Sequence, residues 1–138
     1  MVICYNIPRL KPEQTAFIEF WERLPEKERL IVDVLRQIVL EQLRNDYKER
    51  ITKGASCYYG KRHICSIWPA SVPGGGFKKG VLLGFGQGPK LKNKNGYIHS
   101  GTNKKIYYRI IQSVEDIDEK EIIQLLKEAI KIDGQFKS

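Results

Sequence analysis

The sequence lacks several features that would mark a membrane or secreted protein. No apolar run approaches the roughly 20 residues that a membrane-spanning helix needs, and the N-terminus has no basic start followed by a long apolar segment, as a secretory signal does. Cysteine is scarce, because the chain has only 3, without the spacing of a disulfide framework. We therefore expect a reduced, cytoplasmic protein with no membrane segment.

The motifs of well-defined catalytic and phosphate-binding sites are also missing. The chain has 2 histidines and contains no H-E-x-x-H, no G-x-x-x-x-G-K-[ST], no Ser-His-Asp pattern and no known signature of an RNA- or DNA-binding domain. The glycine-rich segment 84–88 opens no helix, and turn geometry accounts for its glycines. We therefore predict that the chain is not an enzyme.

Acidic residues are almost absent from the middle of the chain. Residues 47–109 carry 13 Lys and Arg but a single acid, Glu49, whereas the segments on either side are mildly acidic and the whole chain has a net charge of +8. Such asymmetry is typical of a protein with an anionic partner. A basic surface charged only for solubility has the same composition, so charge alone leaves both interpretations open.

The residues that are present predict three helices. Apolar residues recur at helical spacing over about 12–23 and 26–45, and a third helix follows Asp118, which has capping-box spacing with Glu121. The second helix has the strongest apolar stripe, consisting of Leu30, Ile31, Val34, Leu35, Ile38, Val39 and Leu43. Residues 1–11 match no clear element.

Strand-like segments occupy the middle of the chain. They cover about 47–53, 56–59, 63–68, 80–85 and 104–112, and a basic, irregular stretch occupies 86–101. Strands that follow one another directly in sequence favour antiparallel pairing. We therefore predict an α+β two-layer sandwich, with an antiparallel sheet of 4–6 strands and the helices packed on one face.

Segment 53–68 is a predicted β-hairpin with its turn at Gly60-Lys61. A glycine at the first turn position favours a two-residue type II′ turn. This register pairs Tyr58 with His63 and points Cys57 away from His63. Neither face of the hairpin is cleanly apolar, so the pattern leaves open which of them meets the helices.

The same hairpin resembles a known family. Two of its segments are similar to the core signature of the YdhG-like domain of unknown function: Lys53-Gly54-Ala55-Ser56-Cys57-Tyr58-Tyr59 and Lys61-Arg62-His63-Ile64-Cys65-Ser66-Ile67-Trp68-Pro69. Two later segments are similar to other landmarks of that family: Leu83-Gly84-Phe85 and Ser113-Val114-Glu115-Asp116-Ile117-Asp118. The resemblance covers about 13–132 and implies a single YdhG-like domain over 1–138, with 1–11 as an extension. It implies a frataxin-like sandwich with one open sheet face, and iron handling as a chaperone-like role. It brings no set of catalytic residues.

Metal ligation has little support from the residues themselves. Cys57, His63 and Cys65 have a C-x5-H-x-C spacing, which is not a standard zinc pattern, and buried cysteines commonly act as small apolar residues. The acids of 19–26 are interleaved with basic residues, and those of 115–121 fit helix capping. We assign no metal ligands and no cofactor, and iron stays open only because the resemblance implies it.

We predict a non-catalytic binding or accessory protein whose partner is an unidentified protein or an anionic ligand. The alternative is a module that binds an anionic ligand or nucleic acid through the basic block 47–109, where cations would follow a backbone and aromatic rings would stack on bases. Trp68, Tyr59 and Arg62 share one predicted hairpin face and are residue types that anchor interfaces. The candidate binding residues are Tyr58, Tyr59, Lys61, Arg62, His63, Cys65, Trp68, Lys78, Lys79, Lys104 and Arg109.

Overall fold

A computed structural model describes residues 12–44, 47–101 and 104–137. The helices in these ranges are α1 (Pro12–Glu22), α2 (Glu26–Leu43) and α3 (Glu119–Asp133). The strands are β1 (Lys48–Thr52), β2 (Ala55–Tyr59), β3 (His63–Pro69), β4 (Val81–Phe85), β5 (His99–Ser100) and β6 (Tyr107–Ile111). The predicted extension at 1–11 lies outside the described residues. None of the helices described combines the length and apolarity needed to cross a lipid bilayer.

The six strands form one antiparallel sheet in the order β1-β2-β3-β4-β6-β5. β4 pairs with β6, so the short strand β5 lies at the sheet edge and pairs only with β6. The predicted α+β sandwich of sheet and helices is confirmed. Its strand count falls at the upper end of the predicted range.

One face of the sheet, here called the helix face, forms one side of the core. Its residues alternate along the strands, as the pleat requires, and Cys65, Ile67, Leu83 and Phe85 are all fully buried. They pack with apolar residues of the helices, including Phe17, Leu35, Ile38, Val39, Ile122 and Leu126. The opposite face, here called the open face, keeps its larger side chains partly exposed. Among these are Trp68, Leu82, Tyr108 and Ile110.

The helix termini follow the sequence signals closely. The carboxylate of Asp118 accepts a hydrogen bond from the amide of Glu121 at 3.3 Å, which confirms the predicted cap of α3.

Most of the α2 stripe is buried as predicted, but Leu30 is 51% exposed, so its predicted burial is wrong. Val32 is buried in the stripe instead.

Segment 86–101, predicted as an irregular excursion, ends in the short strand β5 and is anchored beside α3. The amide of Lys92 donates to a carboxylate oxygen of Glu128 at 2.8 Å, and the hydroxyl of Tyr97 accepts from the amide of Asp118 at 3.3 Å. The segment contributes three buried residues to the core: Leu91, Tyr97 and Ile98. It therefore covers the side of the helix layer next to α3.

Glu49 connects the helix layer to the first two strands. Its carboxylate accepts hydrogen bonds from Arg36 Nε at 2.7 Å and Nη2 at 2.9 Å, and from the Tyr58 hydroxyl at 2.6 Å. Ser56 donates to the Tyr58 hydroxyl at 3.0 Å, and the Arg36 guanidinium lies 3.9 Å from the ring centroid of Phe17. Burial and the adjacent carboxylate raise the pKa of Tyr58 well above its ordinary value, so this hydroxyl remains a donor at neutral pH.

This network makes a stability prediction. Tyr58→Phe should lower the free energy of unfolding by about 1–2 kcal/mol, because Glu49 loses one hydrogen bond in a mostly buried site. Glu49→Gln should cost about 2–4 kcal/mol, because the partly buried Arg36 then loses its charged partner. Urea unfolding at pH 7 measures both changes.

A matched control is Glu41→Gln, because Glu41 is exposed and accepts a long hydrogen bond from Gln37 at 3.4 Å. It should stay within about 0.5 kcal/mol of the wild type. If Glu49→Gln were as mild as Glu41→Gln, the network would not hold the layers together.

Candidate ligand site on the open sheet face

The connection between β2 and β3 differs from the predicted turn. Residues Gly60–Arg62 link Tyr59 to His63, and these two residues pair with each other. A β-bulge follows, so Tyr58 pairs with Cys65 and not with His63. The predicted two-residue type II′ register is therefore wrong.

The carboxylate of Asp133, at the end of α3, explains this turn. It accepts hydrogen bonds from the amide of Lys61 at 2.9 Å and from the amide of Arg62 at 2.8 Å. A Cβ at Gly60 would lie 2.3 Å from Asp133 Oδ2, so the glycine is required by the close approach of the carboxylate. Asp133 lies 72 residues beyond Lys61 in the chain, so the local sequence gives no sign of it.

The bulge places His63 on the open face. A bulge adds one residue to a strand and shifts the alternation of its side chains, so Ile64 is buried and His63 joins Cys57 and Ser66. His63 Nε2 lies 2.5 Å from Ser66 Oγ, and the Ser66 hydroxyl donates to Cys57 Sγ at 3.3 Å. The predicted separation of Cys57 from His63 is therefore wrong, while Cys65 does lie on the opposite, helix face.

Small side chains form the floor of a cavity on the open face, here called the trough. Cys57 on β2 pairs with Ser66 on β3, and Ser66 pairs with Gly84 on β4. The trough has a volume of about 480 Å³, which is within the range of small-molecule sites. The residues that line it are Thr52, Lys53, Cys57, Tyr59, Arg62, His63, Ser66, Trp68, Leu82, Gly84, Gly86, Gln87, Lys105 and Ile106.

Aromatic rings form the walls of the trough and are held in place by their neighbours. The rings of Tyr59 and His63 meet edge to face with centroids 5.4 Å apart. On the other side, Trp68 Nε1 donates to the Val72 carbonyl at 3.1 Å, and a Cβ at Gly75 would lie 2.9 Å from the same nitrogen. The close backbone therefore fixes the orientation of the indole.

His63 is neutral at pH 7, because burial lowers its pKa below the ordinary value. Its Nε2 forms a hydrogen bond with the Ser66 hydroxyl, and the tautomer of the neutral imidazole decides which of the two is the donor. A Cβ at Gly86 would lie 2.3 Å from His63 Nδ1, so only glycine leaves room for the ring. His63 is thus an uncharged, fixed wall of the trough.

The charge on the open face has one sign. The basic residues of this face and of the trough rim are Lys48, Arg50, Lys53, Arg62 and Lys105. Within the described residues that line the trough, no side chain is a carboxylate. Glu49, the one acid of the basic block, lies on the helix face against Arg36.

The structure separates the candidate residues into three groups. Tyr59, Arg62, His63 and Trp68 line the trough, as the shared face of Tyr59, Arg62 and Trp68 suggested. Tyr58 and Cys65 are fully buried in the core, where burial raises the pKa of the Cys65 thiol. Because of this burial, neither Tyr58 nor Cys65 reaches a ligand on the open face.

The remaining candidates lie away from the trough floor. Arg109 is on the helix side, where its guanidinium donates to the Tyr97 carbonyl at 3.0 Å and lies 4.4 Å from the Tyr97 ring centroid. Lys61 Nζ donates to the Phe136 carbonyl at 2.8 Å, beyond the end of α3. Lys79 lines a separate cavity that includes Lys27 and Asp116, and Lys78 and Lys104 are exposed.

Sequence reasoning missed the floor of the trough and part of its rim. Ser66, Gly84 and Lys53 were not among the candidates, although each lines the cavity. A run of small residues in neighbouring strands becomes visible only when the strands are aligned, and the bulge hides that alignment from the local pattern.

No metal site is assembled in the part of the chain that the structure describes. Groups of three or more Cys, His, Asp or Glu side chains that could hold a metal ion do not occur there. Cys57 and His63 share the trough, but the Ser66 hydroxyl lies between them and Cys65 is on the other face of the sheet. Iron handling thus stays a prediction of the family resemblance.

The turn contact makes a prediction about the hairpin. Asp133→Ala should lower the free energy of unfolding by about 1–3 kcal/mol, because the amides of Lys61 and Arg62 lose their shared acceptor. Asp116→Ala, at an exposed acid, is the control and should change it by less than about 0.5 kcal/mol. Urea unfolding measures the difference, and equal stability of the two variants would show that the carboxylate does not hold the turn.

The lowered pKa of His63 makes a second prediction. As the pH falls through the ordinary value of about 6.5, the unfolded chain takes up a proton that folded His63 resists, so the free energy of unfolding decreases. This contribution is present above pH 6.5 and is lost as the pH falls towards the folded pKa. His63→Gln should therefore show a weaker loss of stability between pH 7 and pH 5 than the wild type.

The control is His99→Gln, at the exposed second histidine, which should behave like the wild type. The same loss of stability in all three proteins would contradict the lowered pKa of His63.

Comparisons of this chain with protein-family models, with curated proteins and with solved structures gave no match.

Proposed function

We propose that this chain is a non-catalytic binding protein whose trough takes an anionic ligand that carries a planar ring, as a nucleotide does. The observation that carries the proposal is the position of Glu49. This acid is held by Arg36 on the helix face, so the charged side chains that line the cavity, among the residues that the structure describes, are all basic. A cleft of one charge sign attracts ligands of the opposite sign.

The walls of the trough favour a planar group. Tyr59 and His63 on one side and Trp68 on the other present rings to the cavity. Stacking of a nucleic-acid base on an aromatic side chain contributes about 1–3 kcal/mol. Because the neighbouring backbone already fixes Trp68, little side-chain entropy would be lost on binding.

The rim of the trough favours an anion. Lys53 and Arg62 are exposed and long enough to follow a phosphate group above the cavity. The backbone of Arg62 is held by the carboxylate of Asp133 at 2.8 Å, so the base of this side chain is fixed. Guanidinium groups bind phosphate oxygens in a bidentate geometry, which adds direction to the attraction.

The polar groups of the trough support binding better than catalysis. A thiol or hydroxyl nucleophile needs a base in contact with it and a third group that orients the base. Here the Ser66 hydroxyl separates the imidazole of His63 from Cys57, Cys57 is only 6% exposed, and the lining residues that the structure describes include no carboxylate. Ser66 and His63 therefore serve as hydrogen-bonding groups for a ligand in this proposal.

The test uses ¹⁵N-labelled protein titrated with uridine 5′-monophosphate and followed by NMR. We expect saturable shifts of the amides of Cys57, Ser66 and Gly84 and of the Trp68 indole N–H. Uridine has the planar ring without the phosphate, and inorganic phosphate has the anion without the ring. Each should bind at least about tenfold more weakly than the nucleotide, which corresponds to about 1.4 kcal/mol. Absence of saturable shifts at about 10 mM nucleotide, well above a weak millimolar Kd, would overturn the proposal.

Variants separate charge from stacking. Lys53→Glu with Arg62→Glu should weaken nucleotide binding at least about tenfold, and Trp68→Ala should weaken it by about 1–3 kcal/mol while the chain stays folded. Lys27→Glu with Lys79→Glu makes the same change of charge in a different cavity and should leave the Kd unchanged. Equal losses in the Lys27/Lys79 and Lys53/Arg62 variants would indicate unspecific charge attraction and contradict a site in the trough.

A further inference from the structure

Phe136 lies between the basic rim of the trough and a further basic residue, Lys90. The guanidinium of Arg62, which lines the trough, lies 5.2 Å from the Phe136 ring centroid. The ammonium of Lys90 lies 4.7 Å from the same centroid. The Phe136 ring therefore contacts one cation from the trough, Arg62, and a second cation, Lys90, from a neighbouring surface.

That next surface is a second basic cavity, here called the α3 groove. It has a volume of about 620 Å³ and lies between α3 and the segment that follows β4. The residues that line it are Lys90, Lys92, Gln124, Lys127, Glu128, Lys131, Ile132 and Gln135. Lys90 belongs both to this groove and to the contact with Phe136, so the two cavities are joined through one aromatic ring.

The charges of the α3 groove are not explained by the stability of the helix. Lys127 and Lys131 are separated by one helical turn, where like charges repel each other. Only Lys131, in the last turn, gains from the negative end of the helix dipole. The one acid, Glu128, already accepts hydrogen bonds from the Lys92 amide and from Gln124. The groove therefore keeps an excess of positive charge that a bound anion would neutralise.

We infer that the trough and the α3 groove form one surface that binds a single strand of nucleic acid. This inference rests on the proposed function, because the trough would hold one nucleotide unit and the groove would hold the phosphates of the units that follow. The strand would pass over Phe136 between Arg62 and Lys90. Cations that follow the backbone, with aromatic rings placed at intervals, are the two elements of sequence-tolerant single-strand binding.

The shape of the surface favours a single strand over other polyanions. The trough is bounded by aromatic walls, and a base enters it only when it is unpaired. An acidic protein segment would satisfy the lysines but would leave the rings of Tyr59 and Trp68 in the trough without a planar partner. A duplex would offer phosphates to the groove but no ring to the trough.

The test measures the affinity of a fluorescent oligouridylate of about 10 nucleotides, a length within the usual site size of such proteins. Anisotropy should show binding at least tenfold tighter than that of uridine 5′-monophosphate under the same conditions. Each lysine–phosphate contact contributes about −0.7 to the slope of log K against log salt for single strands. Lys127→Gln with Lys131→Gln should therefore reduce the magnitude of the slope by about 1.4. Lys27→Gln with Lys79→Gln, which removes two lysines from a different cavity, should leave the slope unchanged.

The outcomes distinguish this inference from the proposed function. If the mononucleotide binds in the trough but the decamer gains no affinity, or if the Lys127/Lys131 pair leaves the slope unchanged, the inference is wrong and the proposed function stands. If a duplex or a polyglutamate of matched charge binds as tightly as the decamer, the surface does not select a single strand and the inference is also wrong. If the mononucleotide does not bind in the trough, the proposed function fails and this inference fails with it. The inference is supported if the decamer binds more tightly than the mononucleotide, the duplex and the polyglutamate, and if the Lys127/Lys131 variant shows the reduced salt slope.

Discussion

The carboxylate of Glu49 is the interaction on which both the packing and the charge of this protein depend. It accepts hydrogen bonds from Arg36 on α2 and from Tyr58 on β2, so it fastens the helix layer to the edge of the sheet where β1 and β2 lie. The same placement removes the only acid of the basic block from the open face. If Glu49 were one position earlier or later in β1, the pleat would turn it to the open face and its charge would neutralise the trough. One residue thus decides both the stability of the helix face and the charge of the open face.

A second carboxylate, that of Asp133, gives the hairpin its shape. By holding the amides of Lys61 and Arg62 it sets a three-residue turn, and the bulge that follows brings His63 next to Ser66 and Cys57. The same contact fixes the backbone of Arg62 between the trough and Phe136. The arrangement of the open face therefore depends on a contact between the end of α3 and a turn that is distant in sequence, and not on the hairpin alone.

This division explains what the sequence could predict. The three helices, five of the six strands and the layer architecture follow from local periodicity, and the cap at Asp118 follows from local spacing, so these predictions are confirmed. The two-residue strand β5 was missed, because it lies in the stretch predicted to be irregular. The hairpin register failed because Gly60 has two physical interpretations, a type II′ turn or a close approach by another chain segment, and the local pattern favours the first. The prediction that Tyr58 and Cys65 contact a ligand was wrong, because residue type does not show which face of a strand the helices cover. For Tyr58, residue type also does not show that a buried carboxylate already accepts a hydrogen bond from its hydroxyl. The floor at Ser66 and Gly84 could not be predicted, because small residues define a cavity only relative to their neighbours in other strands.

The open face is also where the chain departs most from what stability alone favours. Filling the row of Cys57, Ser66 and Gly84 with larger β-branched residues would pack a sheet surface better than small side chains do, and the partly exposed Trp68 and Leu82 beside it bury less apolar area than the open face could. The core is complete on the other face, where Ile67, Leu83 and Phe85 are fully enclosed by the helices. A cavity with fixed aromatic walls and a basic rim, on a face that the core does not need, is therefore the physical basis of the proposal that this surface holds a ligand.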